Sequence, residues 1–343
     1  MFTLATIFSS EIGLDTRDPL QVLVVLLAGI LLQVYGSRLL VDGGSGLARR
    51  LGIHPMVIGS TVVAFGVSMP AFFISLWAAN KGQGDLAAGT AVGGVLVNLG
   101  VVLGISALAR PLRFRPQLFQ GDIPVMVAGA ALAAFLMRNS WLGRFEGCLL
   151  IACLIGYTIF LWFSAEVEAD ARVIREIEKD LPPAGPSKRV EIAQAAGGVI
   201  LLIAGARFLV KAAVSGAEMI HLSEPALALA FIPLVASAPK LLALFMALLR
   251  KEKDLAGGII IGGCIFNCLG VLGFAAFYRP ILAPTIGQFD LGIMLLATLA
   301  VLPMMKADEK RRRAIGLALL VGYGLYLTQL LGRVSPGNLF QNL

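Results

Sequence analysis

Long apolar runs alternate with short polar connections along nearly the whole chain. The runs cover roughly residues 20–37, 55–79, 85–109, 122–138, 143–164, 192–213, 225–249, 255–277, 286–305 and 314–331. Each is ~17–25 residues, the length at which a helix crosses a ~30 Å hydrocarbon core. Stretches this long are not strands, and backbone polar groups in lipid need partners within their own segment. The pattern predicts an all-α integral membrane protein of ten transmembrane helices. Residues 165–191 are the one long polar connection. There Glu168, Arg172 and Glu176 fall at i, i+4, i+8 beside a stripe of Val167, Ile174, Ile177 and Leu181, before Pro182-Pro183 and Gly185-Pro186 end the pattern. A short solvated helix is expected, acting as a linker between a five-helix half at 1–164 and a second at 192–343.

Composition agrees with this pattern. Hydrophobic residues make up 58% of the chain and charged residues only 14%, against about a quarter charged in soluble domains. The net charge of +7 is spread over loops and does not point to nucleic acid. Eighteen basic residues, among them Arg49, Arg50, Arg110, Arg250 and Lys310 to Arg313, fall on one set of loops. Six fall on the other: Arg17, Lys81, Arg138, Arg144, Arg279 and Arg333. The positive-inside rule then places both termini outside. The region before Asp18 lacks a basic start followed by an apolar run, and the expected location is a bacterial inner membrane. Cys148 and Cys153 share one span and Cys264 and Cys268 another; membrane-core packing is their simplest reading, and no third ligand completes a metal site. His54 and His221 precede spans and are expected at the interface.

The two halves repeat at an offset of 169 residues. Between Asp85–Pro111 and Asp254–Pro280, 13 of 27 positions are identical, in the frame Asp-Leu-Ala, Gly-Gly-x-x-x-Asn, Val-Leu-Gly, Arg-Pro. Gly36-x-Arg38-x-Leu40-Val41 pairs with Gly205-x-Arg207-x-Leu209-Val210 at the same offset. Five spans per half is an odd number, so the second copy enters from the opposite side. Inverted repeats of this kind, interrupted by Gly, Pro and polar residues, mark secondary transporters with a site where the copies meet. No nucleophile–base set, phosphate-binding loop or cofactor motif is present, so an enzyme is not expected. The expected partners are a small ion or solute and the lipid bilayer.

Candidate chemistry concentrates in the repeated segments. Ser68-Met69-Pro70-Ala71 aligns with Ser237-Ala238-Pro239-Lys240. Pro70 and Pro239 are expected to kink their helices and free carbonyls. Ser68 and Ala71, like Ser237 and Lys240, share a helix face. On the partner helices Gly93, Gly94 and Asn98 match Gly262, Gly263 and Asn267; the glycines allow close helix approach, and a buried Asn must find a partner.

These residues resemble the two α-repeats of the sodium/calcium exchanger family. Its pattern is Gly-Thr-Ser-x-Pro-Glu, then Asp-hydrophobic-Ala-x-Gly, then Gly-Ser-Asn-x-x-Asn/Asp. The first copy here reads Gly66-Val67-Ser68-Met69-Pro70-Ala71, Asp85 to Gly89, and Gly93 to Asn98. The second reads Val235-Ala236-Ser237-Ala238-Pro239-Lys240, Asp254 to Gly258, and Gly262 to Asn267. The resemblance implies the fold, alternating access and an ion site at Ser68, Ala71, Asn98, Ser237, Lys240 and Asn267. It also implies what has changed. The family's calcium-binding glutamates are Ala71 and Lys240, its threonines Val67 and Ala236, and its second-helix serines Gly94 and Gly263. Calcium takes six to eight oxygens, usually with carboxylates, and is not expected to bind here in the family's manner.

Lys240 lies ten residues before Arg250, about 15 Å along a helix, near mid-membrane. Its position costs ~2.5–3.5 kcal/mol on the insertion scale. Asp42, Asp85, Asp122, Glu146, Glu218, Glu224, Asp254 and Asp290 all fall near span ends. Lys240 is then neutral, hydrated in a cavity, or held by carbonyls and Ser/Asn side chains. Four functions are open: transport with Lys240 as a built-in cation, anion or small-solute transport with Lys240 as counter-charge, a non-transporting scaffold, or residual calcium exchange.

Overall fold

The computed structural model describes residues 18–53, 61–62, 64–109, 121–167, 187–220, 222–238, 240–241 and 255–332. The first helix, α1 (Pro19–Arg50), starts where the Asp18 carboxylate accepts from the Leu20 N–H at 2.9 Å, with Pro19 at its first position. The expected span at 20–37 ends too early. The apolar run stops at Gly36-Ser37-Arg38, but the helix continues to Arg50 because its small residues lie against α7 (Lys188–Met219). A Cβ built on Gly29 would sit 2.8 Å from the Leu209 nitrogen, and one on Gly36 would sit 3.0 Å from the Gly198 oxygen. From the other side, a Cβ on Gly205 would lie 3.1 Å from the Gly29 oxygen and one on Gly198 2.8 Å from the Gly36 oxygen. Gly29 and Gly198, like Gly36 and Gly205, are 169 residues apart. The inverted repeat therefore exchanges the Gly29–Gly205 and Gly36–Gly198 contacts, and two antiparallel backbones meet along small residues.

The remaining elements are α2 (Ala64–Gly66), α3 (Met69–Lys81), α4 (Gly84–Ala109), α5 (Ile123–Leu136), β1 (Trp141–Leu142), α6 (Arg144–Val167), α8 (Leu227–Ala236), α9 (Leu255–Ile265, running on through Phe266–Val271 and Leu272–Tyr278), β2 (Ile281–Leu282), α10 (Gln288–Lys306) and α11 (Glu309–Gly332). Helical residues occur at each expected span. Among the described residues six helices are long and apolar enough to cross a membrane, and α5, α8 and most of α10 are shorter apolar helices. Residues 168–186 of the expected linker, His54 and His221 lie outside the described residues. The all-α expectation holds, with one small strand pair added to it. β1 and β2 pair antiparallel, Trp141 opposite Leu282, and the Ala283 N–H donates to the Ser140 carbonyl at 2.8 Å. Two residues per strand leave no alternation for a hydropathy pattern to register.

The halves interleave. In the first half α6 packs on α9 of the second, where a Cβ on Gly147 would lie 2.8 Å from the Gly273 oxygen. In the second, α11 packs on α4 of the first, with a Cβ on Gly316 lying 3.2 Å from the Gly104 oxygen. Gly147 and Gly316 are repeat equivalents, as are Gly104 and Gly273. Two buried hydrogen bonds repeat as well. The Tyr157 hydroxyl donates to Asp122 Oδ1 at 2.9 Å, joining the start of α5 to α6; the Tyr326 hydroxyl donates to Asp290 Oδ1 at 2.9 Å, joining α10 to α11. At the turn before α4, buried Asp85 accepts from both the Thr285 N–H (2.8 Å) and its hydroxyl (2.7 Å). Gly82 reverses the chain there with φ +80°, a conformation suited to glycine.

Tyr157→Phe and Tyr326→Phe are each expected to cost roughly 0.5–1.5 kcal/mol. The two bonds join different helix pairs, so their costs should add within about 0.5 kcal/mol in the double variant. Reversible unfolding in detergent measures both.

Candidate functional site

The site begins with two matched breaks in helices. Between α2 and α3, Ser68 takes φ −95°, ψ −7°; after α8, Ser237 takes φ −84°, ψ 0°. Both fall in the sparsely used bridge region. Each serine N–H turns back on a carbonyl of the preceding helix: Ser68 donates to Phe65 at 2.8 Å, and Ser237 to Pro233 at 3.0 Å and Leu234 at 3.2 Å. The Ser68 hydroxyl donates to the Ala64 carbonyl at 3.0 Å. A kink centred on Pro70 was expected. Instead the helix stops at the serine, and Pro70 lies in the first turn of α3, where a missing N–H leaves no helical bond unmade. Pro239 lies outside the described residues.

Facing these breaks, α4 and α9 each widen into a π-helical stretch, Val97–Leu103 and Phe266–Val271. Asn98 and Asn267 are the second residue of their stretches. Single π-turns within α-helices cluster at functional sites. No residue pattern announces the widening directly, beyond the repeated Gly-Gly-x-x-x-Asn that leads into it.

Ser68, Asn98, Lys240 and Gly263 come together. Lys240 is 3% exposed, and its Nζ donates to Asn98 Oδ1 at 3.4 Å, a long hydrogen bond. A Cβ built on Gly263 would lie 3.0 Å from Lys240 Nζ and 3.3 Å from both Asn98 Nδ2 and Ser68 Oγ. The glycine therefore makes the room that the ammonium uses. The mirror position repeats the arrangement without a cation: Asn267 lies directly over Gly94, where any Cβ would overlap its amide nitrogen. Gly93 is pressed against the Leu229 carbonyl and Pro233 of α8, and Gly262 is buried in α9. Ala71 and Ser237 are buried at the two breaks, but neither is a hydrogen-bond partner of the ammonium.

Several buried polar atoms here find no hydrogen-bond partner among the described residues: Asn98 Nδ2, and both Nδ2 and Oδ1 of Asn267. Lys240 makes no ion pair among the described residues, where Asp85, Asp122, Asp290 and Glu191 are committed to Thr285, Tyr157, Tyr326 and Arg50. Cys264, next to Gly263, is fully buried. No group of three or more His, Cys, Asp or Glu side chains that could hold a metal occurs among the described residues. Sequence reasoning missed Gln33 and Ser37, which are i, i+4 neighbours on α1, fully buried, with no partner for their side-chain polar atoms. The available signal was one amide inside the run Leu31-Leu32-Gln33-Val34.

The family profile "Sodium/calcium exchanger protein" matches residues 21–163 and 191–332, once on each half and over most of the chain. The chain is a member of the sodium/calcium exchanger family. Its relatives include the putative antiporter CaxA of Alkalimonas amylolytica, 33% identical over 84% of this chain and 91% of that protein. The inner membrane protein YrbG of Escherichia coli is 31% identical over 89% of this chain and 95% of that one. Solved structures of the sodium-calcium exchanger NCX_Mj superpose with a TM-score of 0.66 at 22% identity, covering 91% of this chain and 99% of that chain. The protein thus shares the fold of an exchanger and is a multi-pass membrane protein.

Gly263→Ala is expected to lower stability because its methyl crowds the ammonium. On a Lys240→Ala background the same change should cost less. The difference, a coupling of roughly 0.5–3 kcal/mol, is read from the four unfolding midpoints of a double-mutant cycle; strict additivity would separate the two residues.

Proposed function

We propose that this exchanger-family protein is a secondary transporter carrying its own cation, the Lys240 ammonium, where the family binds one, and that its cargo is a small ion other than calcium. The observation that carries this reading is the buried ammonium bonded to Asn98 beside Ser68 and Gly263, with no ion-paired carboxylate among the described residues. At an effective dielectric of ~20, a unit charge and a divalent cation 4 Å apart repel by about 8 kcal/mol, enough to exclude calcium from the space in front of Nζ. Two matched helix breaks around a shared centre support alternating access. Proton exchange at Lys240 would couple transport to a pH gradient.

A second reading, transport of an anion or small solute with Lys240 as counter-charge, is favoured by the surplus of donors. Besides the ammonium, the amide nitrogens of Asn98 and Asn267 have no hydrogen-bond partner among the described residues.

Flux into proteoliposomes tests both. Under the first reading, a pH step drives ion uptake that is lost in Lys240→Met, and sodium-driven calcium uptake stays at the level of empty vesicles. Under the second, a saturable anion flux replaces it and is also lost in Lys240→Met. Sodium-driven calcium uptake by the wild-type protein would overturn both, and no flux across a broad ion panel would favour a non-transporting scaffold. Separately, Ala71→Glu with Lys240→Glu changes the site charge from +1 to −2 and is expected to create divalent-ion binding in roughly the 0.1–1 mM range of weak calcium sites, measured by calorimetry.

A further inference from the structure

Away from the central cluster, α4, α10 and α11 enclose an apolar groove of about 400 Å³, within the ~300–1,000 Å³ range of ligand pockets. Its walls come from every third or fourth residue of α10 between Ile293 and Pro303, and of α11 between Ile315 and Tyr323, with Leu96 and Gly100 of α4 as the floor. Both stripes can be followed to the end where α10 and α11 join. The next member of the α10 series after Pro303 is Lys306; the members of the α11 series before Ile315 are Arg312 and Arg311. The whole turn, 306–313, carries five basic residues against Asp308 and Glu309. Among the described residues those acids form the pairs Arg311–Asp308 at 3.8 Å and Arg313–Glu309 at 2.7 Å, both exposed, and exposed pairs of this kind are worth little. The apolar floor and the basic mouth are therefore parts of one surface.

We infer that this groove binds an anionic phospholipid, one acyl chain lying between α10 and α11 and the phosphate meeting the basic turn at Arg311 and Arg312. The charge favours a lipid over a second copy of the chain, which would bring an equally basic turn to the same place. The groove's flanks present the exposed side chains of Leu296, Leu299, Leu317 and Val321, as a lipid-facing surface requires. Basic residues at the interface attract anionic headgroups, and basic pockets between transmembrane helices hold such lipids in place. The inference stands independently of the transport reading.

The purified full-length protein in uncharged detergent is titrated with phosphatidylglycerol, with phosphatidylcholine of the same acyl chains, and with chainless glycerol phosphate, following thermal unfolding and the number of lipids retained in native mass spectrometry. Phosphatidylglycerol should raise the unfolding temperature and stay bound, phosphatidylcholine should do so far more weakly, and glycerol phosphate should do neither. Arg311→Gln with Arg312→Gln should weaken phosphatidylglycerol binding roughly 30-fold. Gly322→Leu should abolish retention of both lipids. No atom lies within 4 Å of a Cβ built at Gly322, so this substitution fills the groove without disturbing the fold. Equal effects of the two lipids, a full effect of glycerol phosphate, or unchanged binding in either variant would overturn the inference. Formation of a dimer that excludes lipid from the groove would also overturn it.

Discussion

A helix broken in mid-membrane exposes carbonyls and N–H groups that lipid cannot satisfy, so such a break survives only where protein closes over it. The architecture around the centre meets this constraint. The serines at 68 and 237 turn their own N–H groups back onto the helix just ended. The glycines of the facing helices let backbone and breaks approach: Gly93 lies on the Leu229 carbonyl, and Gly263 lies beside Ser68 and Lys240. Interleaving supplies the rest of the enclosure, since α6 crosses to the second half and α11 to the first. Irregular backbone, small residues and crossed helices are thus parts of one solution.

Within that enclosure the ammonium and the glycine opposite it act as a pair. A lysine in a low-dielectric interior needs dipoles and space, and Asn98 Oδ1 with the absent Cβ of residue 263 supplies both. A lysine at 240 and a glycine at 263 thus meet one physical need, room and a dipole for a buried amine. The mirror pair, Ala71 and Gly94, leaves Asn267 with its amide against bare backbone.

Much of this was legible in the residues alone. The 169-residue offset marked the inverted halves, and the aligned Ser, Gly and Asn positions marked the elements that meet. Hydropathy set helix ends poorly: α1 runs thirteen residues past its expected end at 37, because packing against α7, not burial in lipid, sustains it. The break at Ser68 was displaced from the proline that announced it, since proline is as well suited to starting a helix as to bending one. The π-stretches, the two-residue strands and the Asp–Tyr bonds were not legible, because each depends on which helix stands opposite. Gln33 was visible but carried no meaning until its burial was known.

The meeting of α1 and α7 is isologous: Gly29 faces Gly205 as Gly198 faces Gly36, the geometry two identical chains inserted in opposite senses would form. Such a homodimer would be bound to equality, with a lysine in both positions or in neither, and two ammonium groups would repel across the centre. Fusion into one polypeptide removes that obligation. It allows a methyl to stand at 71 and an amine at 240, so that two positions related by the repeat differ in chemistry on a matched scaffold.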